Sequence, residues 1–558
     1  MEACTRSTTW LAMWFLTAVA IGQGLSAPWP IVHSVRSGEM AMGAGALAMS
    51  ALPHAAACAR GGGIAFVSRI AGNARNQAVV VAQGNGLRAI AVGCGGGGGS
   101  GVHGACGDPA PGGGTIAGLF EGTAFAPALG ERGDVLFLAD VHGGPRPRAL
   151  FCYRADRGAL VRIAAVGDTA PSGGAFLGVG PGVHMPGEGV LFVALRVGMT
   201  TGELFAWRDG VISPFVRVGD PLPQGGTIAA IATESLQFVD GTSIPIGPLP
   251  CVDACGNVAF RVHGAGGAAA SGIVVRENGV DAWWLRTGDA VPVGGAFTSF
   301  GAPLLARDAD GQLQCAVFAD HTSPRGPTSG WFVGRPSAWR RAIGFFDAVD
   351  GGQCLGLAIS RGPMTPFDGR DLVVWCDLAI QGGQDRIVLC HGDGSRSVLA
   401  RRGESLPGGG ALGELGGWPS LDAAGRCLVS AHVQGSAGGH FVFADPTPRV
   451  AVAPCAMLGA PLSVFTHGVE PGAFVLAASP LRAFVAMPPL GTLAIGPDPI
   501  WLLTGIAPFG SAFAWSCSYV LPSDPALEGA ALHFQALAFE GIDWRLTEGA
   551  STQLWSWR

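Results

Sequence analysis

One phrase punctuates this chain: Gly-Asp, two residues, Pro, one residue, Gly-Gly, then a small and an apolar residue. It is clearest at Gly107-Asp108-Pro109-Ala110-Pro111-Gly112-Gly113-Gly114-Thr115-Ile116. It returns at Gly167-Asp168, Gly219-Asp220 and Gly288-Asp289, each with its Pro and Gly pair, and at Gly403-Glu404 with Pro407 and Gly409-Gly410. Two copies are worn. Gly38-Glu39 lacks the Pro, and Phe346-Asp347 lacks both the first Gly and the Pro but keeps Gly351-Gly352. The seven starts lie 69, 60, 52, 69, 58 and 57 residues apart. A period of this length signals a repeat architecture in which each unit is one supersecondary element.

Two further phrases fill each unit. A Gly- or Asp-containing turn precedes an alternating apolar run, as in Gly189-Val190-Leu191-Phe192-Val193-Ala194. A hairpin follows, as in Leu204-Phe205-Ala206-Trp207 and Val211 to Val218 around Asp209-Gly210, or around Asn278-Gly279; Asn-Gly and Asp-Gly between apolar runs favour tight hairpin turns. Each unit therefore supplies about four short strands, the composition of a propeller blade. The expected fold is all-β: a seven-bladed β-propeller over residues 28–455, followed by a small C-terminal β-sandwich over 456–558. Closure would remove exposed sheet edges. Ile31-Val32-His33-Ser34-Val35 precedes the first phrase as an outer hairpin strand precedes the others, so it is expected to latch the last blade. An open β-array is the rival arrangement.

Composition narrows the function. Gly (91 residues) and Pro (39) are abundant, yet 48% of the chain is hydrophobic, which argues for packed sheets with many turns and against disorder. No lysine occurs, which excludes Schiff-base and P-loop chemistry. A net charge of -6 without a basic run excludes a nucleic-acid footprint. Residues 1–27 read as a signal peptide: Arg6, an apolar stretch over 10–21, and a small-residue cleavage zone; an N-terminal anchor is the alternative. No other stretch reads as a membrane span, so a secreted or cell-surface protein is expected. Cysteine usage agrees. Cys94 and Cys106 flank a Gly-rich loop that a disulfide would close, worth about 3 kcal/mol by chain entropy, and Cys251 and Cys255 are a second candidate pair.

The Gly107-to-Gly112 opening, with the turns Asp253 to Phe260 and Asp422-Ala423-Ala424-Gly425, resembles an uncharacterised family of secreted bacterial tandem β-repeat proteins. The resemblance spans residues 37–452 and implies the repeat fold without implying chemistry. Pro489-Leu490-Gly491-Thr492, Pro522-Ser523-Asp524-Pro525-Ala526-Leu527-Glu528-Gly529 and Phe534-Gln535-Ala536-Leu537 resemble a domain that ends exported planctomycete-type proteins; Ser523 and Glu548 depart from its usual Asn.

The repeated carboxylates Glu39, Asp108, Asp168, Asp220, Asp289, Asp347 and Glu404 would form a circle on one face of a ring. Asp108, Asp168, Asp220 and Asp289 are the candidate metal ligands, for Ca²⁺ if for any cation. The competing reading is that each accepts backbone N–H groups within its own turn. Asp308-Ala309-Asp310-Gly311 reads as a β-turn lacking the rest of a calcium loop. Trp339, Arg340 and Arg341 are the candidate surface contact; Trp207, Trp283, Trp284, Trp331 and Trp375 read as packing residues. His142, His391 and His440 read as solvated loop residues. The sequence carries no HExxH, no nucleophile elbow and no other catalytic motif. The expected function is an exported, non-catalytic binding protein with an unknown protein or carbohydrate ligand and no required cofactor. Function is expected in divergent loops such as the insert over residues 234–250. The alternatives are a secreted polysaccharide hydrolase or lyase, and a structural cell-surface component.

Overall fold

The computed structural model describes residues 31–555 with interruptions, the longest being 50–56, 95–106, 238–242, 359–365, 405–410, 422–426, 468–472, 507–514 and 521–529; of residues 435–555 it describes mainly the strands. The chain is all-β. Its repeated part forms seven antiparallel sheets, one for each phrase.

Blade 3 shows the plan: Phe176–Met185, Gly189–Arg196, Glu203–Arg208 and Val211–Val216 pair in sequence order. Blades 2, 4 and 5 repeat it, the four strands of blade 5 being Phe297–Arg307, Leu313–His321, Thr328–Gly334 and Arg340–Gly344, and blade 6 repeats it with the two-residue strand Ala348–Val349 added at its inner edge. Blade 1 adds the two-residue strand Met40–Ala41 to its inner edge. The exception is blade 7. After Leu412–Leu415, Cys427–Val433 and Gly439–Ala444, its fourth strand is Ile31–Arg36 from the other end of the chain, antiparallel with Val32 opposite Phe443 and Arg36 opposite His440. The expected latch is present, and the open array is excluded.

The alternating apolar runs have a precise consequence in a ring. Successive side chains of a strand point to opposite sheet faces, and here both faces meet a neighbouring blade. In Gly189–Arg196, Val190, Phe192 and Ala194 enter the core shared with blade 2, while Leu191 and Val193 enter the core shared with blade 4. Seven such inter-blade cores exist among the described residues, and the seventh joins Leu428 of blade 7 to Ile64, Phe66 and Val80 of blade 1. Each fully buried large apolar side chain contributes about 2 kcal/mol by transfer from water, so inter-blade packing carries most of the ring's stability.

The strands of a blade alternate in direction, which gives the ring two unlike ends. The phrase and the turn between second and third strands lie at one end. The turn before the second strand and the outer hairpin lie at the other. We call them the phrase end and the hairpin end. The insert of the fourth unit, expected as a divergent loop, lies at the hairpin end and is ordered. It forms the hairpin Glu234–Gln237 and Ser243–Gly247 between the first and second strands of blade 4 and packs on blade 3. Ile244 is fully buried in the core between blades 2 and 3, and a side chain at Gly180 would collide with the Pro245 carbonyl.

Beyond blade 7 the strands form a three-stranded sheet (Arg449–Val452, Pro461–His467, Trp515–Val520) and a larger sheet built on Ala473–Ser479, Ala531–Glu540 and Ala550–Trp555. Cys455–Met457 runs parallel to Ala550–Trp555.

Candidate functional site

At the phrase end the carboxylates serve one repeated joint. In blade 4, Asp220 N–H donates to the Arg217 carbonyl at 3.2 Å, and Arg217 N–H donates back to Asp220 Oδ2 at 2.8 Å. Ile228 N–H donates to the Asp220 carbonyl at 2.8 Å, and Gly219 N–H to the Ile228 carbonyl, also at 2.8 Å. The carboxylate thus ties the last residues of one blade's outer strand to the first strand of the next blade. Asp168, Asp289, Asp347 and Glu404 repeat this pattern on the N–H groups of Ala165, Arg286, Gly344 and Arg401. Asp108 makes the same bond to Val92, 16 residues back at 2.8 Å, because the Gly-rich loop intervenes. The remaining oxygen faces arginine: Asp168 accepts Arg146 Nε at 3.0 Å, Asp220 and Asp289 pair with Arg217 and Arg286, and Asp347 binds both Arg341 and Arg396. This spreads the acids over the blade joints, each beside its own partners. Among the described residues no three His, Cys, Asp or Glu side chains gather as a metal site requires. Asp308 caps its own turn, accepting the N–H groups of Asp310 and Gln312 at 3.0 and 2.9 Å.

The other candidates are distributed. Trp339 packs against the core between blades 4 and 5, Arg340 donates to the Arg370 carbonyl at 3.2 Å, and Arg341 is held by Asp347, so the three are half-buried and engaged rather than a free surface patch. Trp207, Trp284 and Trp331 are core residues, and Trp283 donates to the Pro223 carbonyl at 2.6 Å. Cys94 is disulfide-bonded; Cys106 lies outside the described residues. Cys251 and Cys255 are not a pair. Cys255 is disulfide-bonded, whereas Cys251 is a free thiol that turns toward blade 5 and accepts Leu305 N–H at 3.1 Å; burial pushes its pKa up to about 11. Two further buried thiols, Cys354 and Cys376, lie on neighbouring strands of blade 6 and hydrogen-bond each other, which lowers the pKa of Cys354 and raises that of Cys376.

Two features escaped the sequence reading. The first is Phe346. Where four other copies place glycine at φ between 83 and 92°, the worn sixth copy keeps the same left-handed backbone, φ 67°, with a phenylalanine that is 64% exposed. Met40, Met42 and Val293, also exposed, belong to other copies of the phrase, and exposed Val197 is joined to the third copy through its N–H bond to Ala175. The phrase end therefore presents apolar side chains from blades 1, 3, 5 and 6. The second is at the hairpin end of blade 6. His391 is not a solvated loop residue: Nε2 lies 2.9 Å from Ser397 Oγ and Nδ1 lies 3.4 Å from Asp371 Oδ2. Asp371 also accepts Gly392 N–H at 3.0 Å; burial, then nearby Asp368, raises its pKa. His142 is at the end of a blade 2 strand and His440 lies on a described strand whose side chains are not described. The His-Gly-Asp-Gly-Ser-Arg-Ser run over 391–397 spans the outer hairpin turn of blade 6, and that spacing is the sequence signal for the His–Ser approach.

The described residues contain no helix long and apolar enough to cross a membrane. A family described as "Family of unknown function (DUF7453)" matches residues 64–330, from the second strand of blade 1 into blade 5. No curated protein matches the chain. Among solved structures it is similar to a PL25 ulvan lyase, a polysaccharide lyase, at 9% identity, with 61% of this chain and 88% of that one covered and a TM-score of 0.27. It is similar to Trypanosoma rangeli sialidase at 10% identity, 78% and 84% coverage and a TM-score of 0.26. It is also similar to the GH74 xyloglucanase of Xanthomonas campestris at 16% identity, 70% and 76% coverage and a TM-score of 0.16. Likenesses this loose carry no argument about activity.

Proposed function

We propose that this chain is an exported binding protein whose propeller presents its phrase end to a protein partner. Phe346 is the observation that supports this most strongly. A large apolar side chain in left-handed backbone costs about 1–2 kcal/mol, and here the ring is spent on solvent rather than on the core. Strain retained at an exposed position points to use of the side chain. Met40, Met42, Val197 and Val293 give the same end further apolar contacts, and methionines adapt to varied protein surfaces. The repeated carboxylates do no chemistry in this reading; they join blades.

A photo-crosslinking residue placed at 346, and separately at Val211 on the hairpin end, tests it. Incubated with an extract of the producing cell's envelope, the protein is expected to yield a discrete adduct from 346 and none from 211. Equal adducts from both positions, or none, would remove the reading. Phe346→Gly relieves the backbone while deleting the ring, so it should lose competition for the partner without losing stability. A glycan array separates the ligand classes: no glycan is expected to bind, and saturable binding abolished by Phe346→Gly would move the reading to carbohydrate.

A further inference from the structure

The hairpin end carries one position that recurs from blade to blade. The residue just before the second strand accepts a backbone N–H from the outer hairpin turn: Asp134 takes Ala155 N–H at 2.8 Å in blade 2, Asn257 takes Asn278 N–H at 3.2 Å in blade 4, and Asp371 takes Gly392 N–H at 3.0 Å in blade 6. The residue preceding each of those N–H groups differs. Blade 2 has Arg154, whose Nε lies 3.4 Å from Asp134, and blade 4 has Glu277. Neither of these places an imidazole, which both accepts and donates a proton at its ring nitrogens, beside the shared acceptor. Blade 6 has His391, oriented by Asp371 on Nδ1 and bonded through Nε2 to the Ser397 hydroxyl.

We propose that Ser397, His391 and Asp371 form a nucleophilic serine site for short-chain esters, separate from the phrase end. The geometry is that of a serine activated by an oriented histidine: the imidazole tautomer with Nδ1–H toward Asp371 leaves Nε2 free to accept the serine proton. The 3.4 Å leg is long for a hydrogen bond, as is usual before a substrate tightens such a site. Burial of Asp371 keeps its oxygens aimed at the turn. Arg340 lies within electrostatic reach of Asp371 and Asp393, and its Nη1 is a buried donor with no hydrogen-bond partner.

Ser397 Oγ attacks the ester carbonyl carbon and its proton moves to His391 Nε2. The carbon–oxygen bond to the alcohol breaks and the alcohol leaves with that proton. Water then attacks the acyl-serine carbonyl, gives a proton to His391, and the carboxylic acid departs as Ser397 regains its own. No other reactant is needed. Ser397 is half-buried on the outermost strand of its blade, beside the open turn Gly392 to Gly394, so a short acyl group borne on a larger carrier fits better than a long acyl chain.

A fluorophosphonate probe on the folded, signal-free chain tests this, with p-nitrophenyl acetate hydrolysis as the second readout. The probe is expected on the peptide containing Ser397. Ser397→Ala should abolish labelling, and His391→Asn or Asp371→Asn should slow it by about 100-fold or more. Asp371→Asn retains an acceptor for Gly392 N–H and so preserves the turn. Native protein that takes no probe at Ser397, or a rate unaffected by His391→Asn, would each overturn the proposal.

Discussion

The two ends of the ring are built from the same seven repeats and have diverged in opposite ways. At the phrase end one hydrogen-bonded joint recurs. A carboxylate accepts the N–H at the close of the preceding outer strand in blades 2 to 7, and even the worn sixth copy keeps it with Phe346 in place of glycine. At the hairpin end the acceptor position is shared but its partner changes, from Arg154 beside Asp134 to His391 beside Asp371. Uniform residues at a joint report a geometric need. Reactive combinations arise where the scaffold holds a position constant and leaves its neighbour free to vary.

That contrast can be broken most sharply at the phrase. Gly295→Val should cost about 3 kcal/mol, because φ is 92° and a Cβ would sit 2.0 Å from the Thr322 carbonyl oxygen. Chemical denaturation measures it, and a change below about 1 kcal/mol would mean the joint is soft. Asp220→Ala should cost about 1–2 kcal/mol by leaving Arg217 N–H without its acceptor. Adding calcium should leave the melting temperature of the wild-type chain unchanged; a calcium-dependent rise lost in Asp220→Ala would return the carboxylates to a binding role. Phe346→Gly should stabilise by about 1 kcal/mol; thermal or chemical denaturation measures it, and a loss of stability would show that the ring packs on the fold.

The smallest effect lies at the hairpin end. Asp371 has its folded pKa raised by burial, so the folded state holds the proton more tightly than the unfolded state does. Stability from this group is therefore greatest at low pH and falls as pH rises from the ordinary carboxylate value, about 3.9, through the raised one. Asp371→Asn should flatten that slope in a pH series of unfolding curves, and an unchanged slope would assign it to other groups.

Much of the ring was legible because punctuation and period are local. The phrase fixes where each blade begins, the Asp209-Gly210 and Asn278-Gly279 turns carry the left-handed φ values such hairpins need, and alternation supplies two apolar faces per strand. What could not be read depends on contacts between units. Cys251 prefers blade 5 to its sequence neighbour Cys255 because its strand places the thiol against Leu305. The fourth-unit insert looks like a loop in sequence, yet Ile244 finds a core formed by two other blades. Asp371 approaches His391 and Ser397 only through the pairing of three strands.

The ring stands or falls with its closure. Gly439–Ala444 has a partner on each side, Cys427–Val433 within its own unit and Ile31–Arg36 from some 400 residues earlier. Hydrogen exchange on residues 439–444, compared between a chain beginning at residue 28 and one beginning at residue 37, tests this directly. Amides at 439–444 should be strongly protected in the first and lose that protection in the second, with blades 3 to 5 least affected. Equal protection in both would show that blade 7 is complete without the N-terminal strand and that the seven sheets do not close through it.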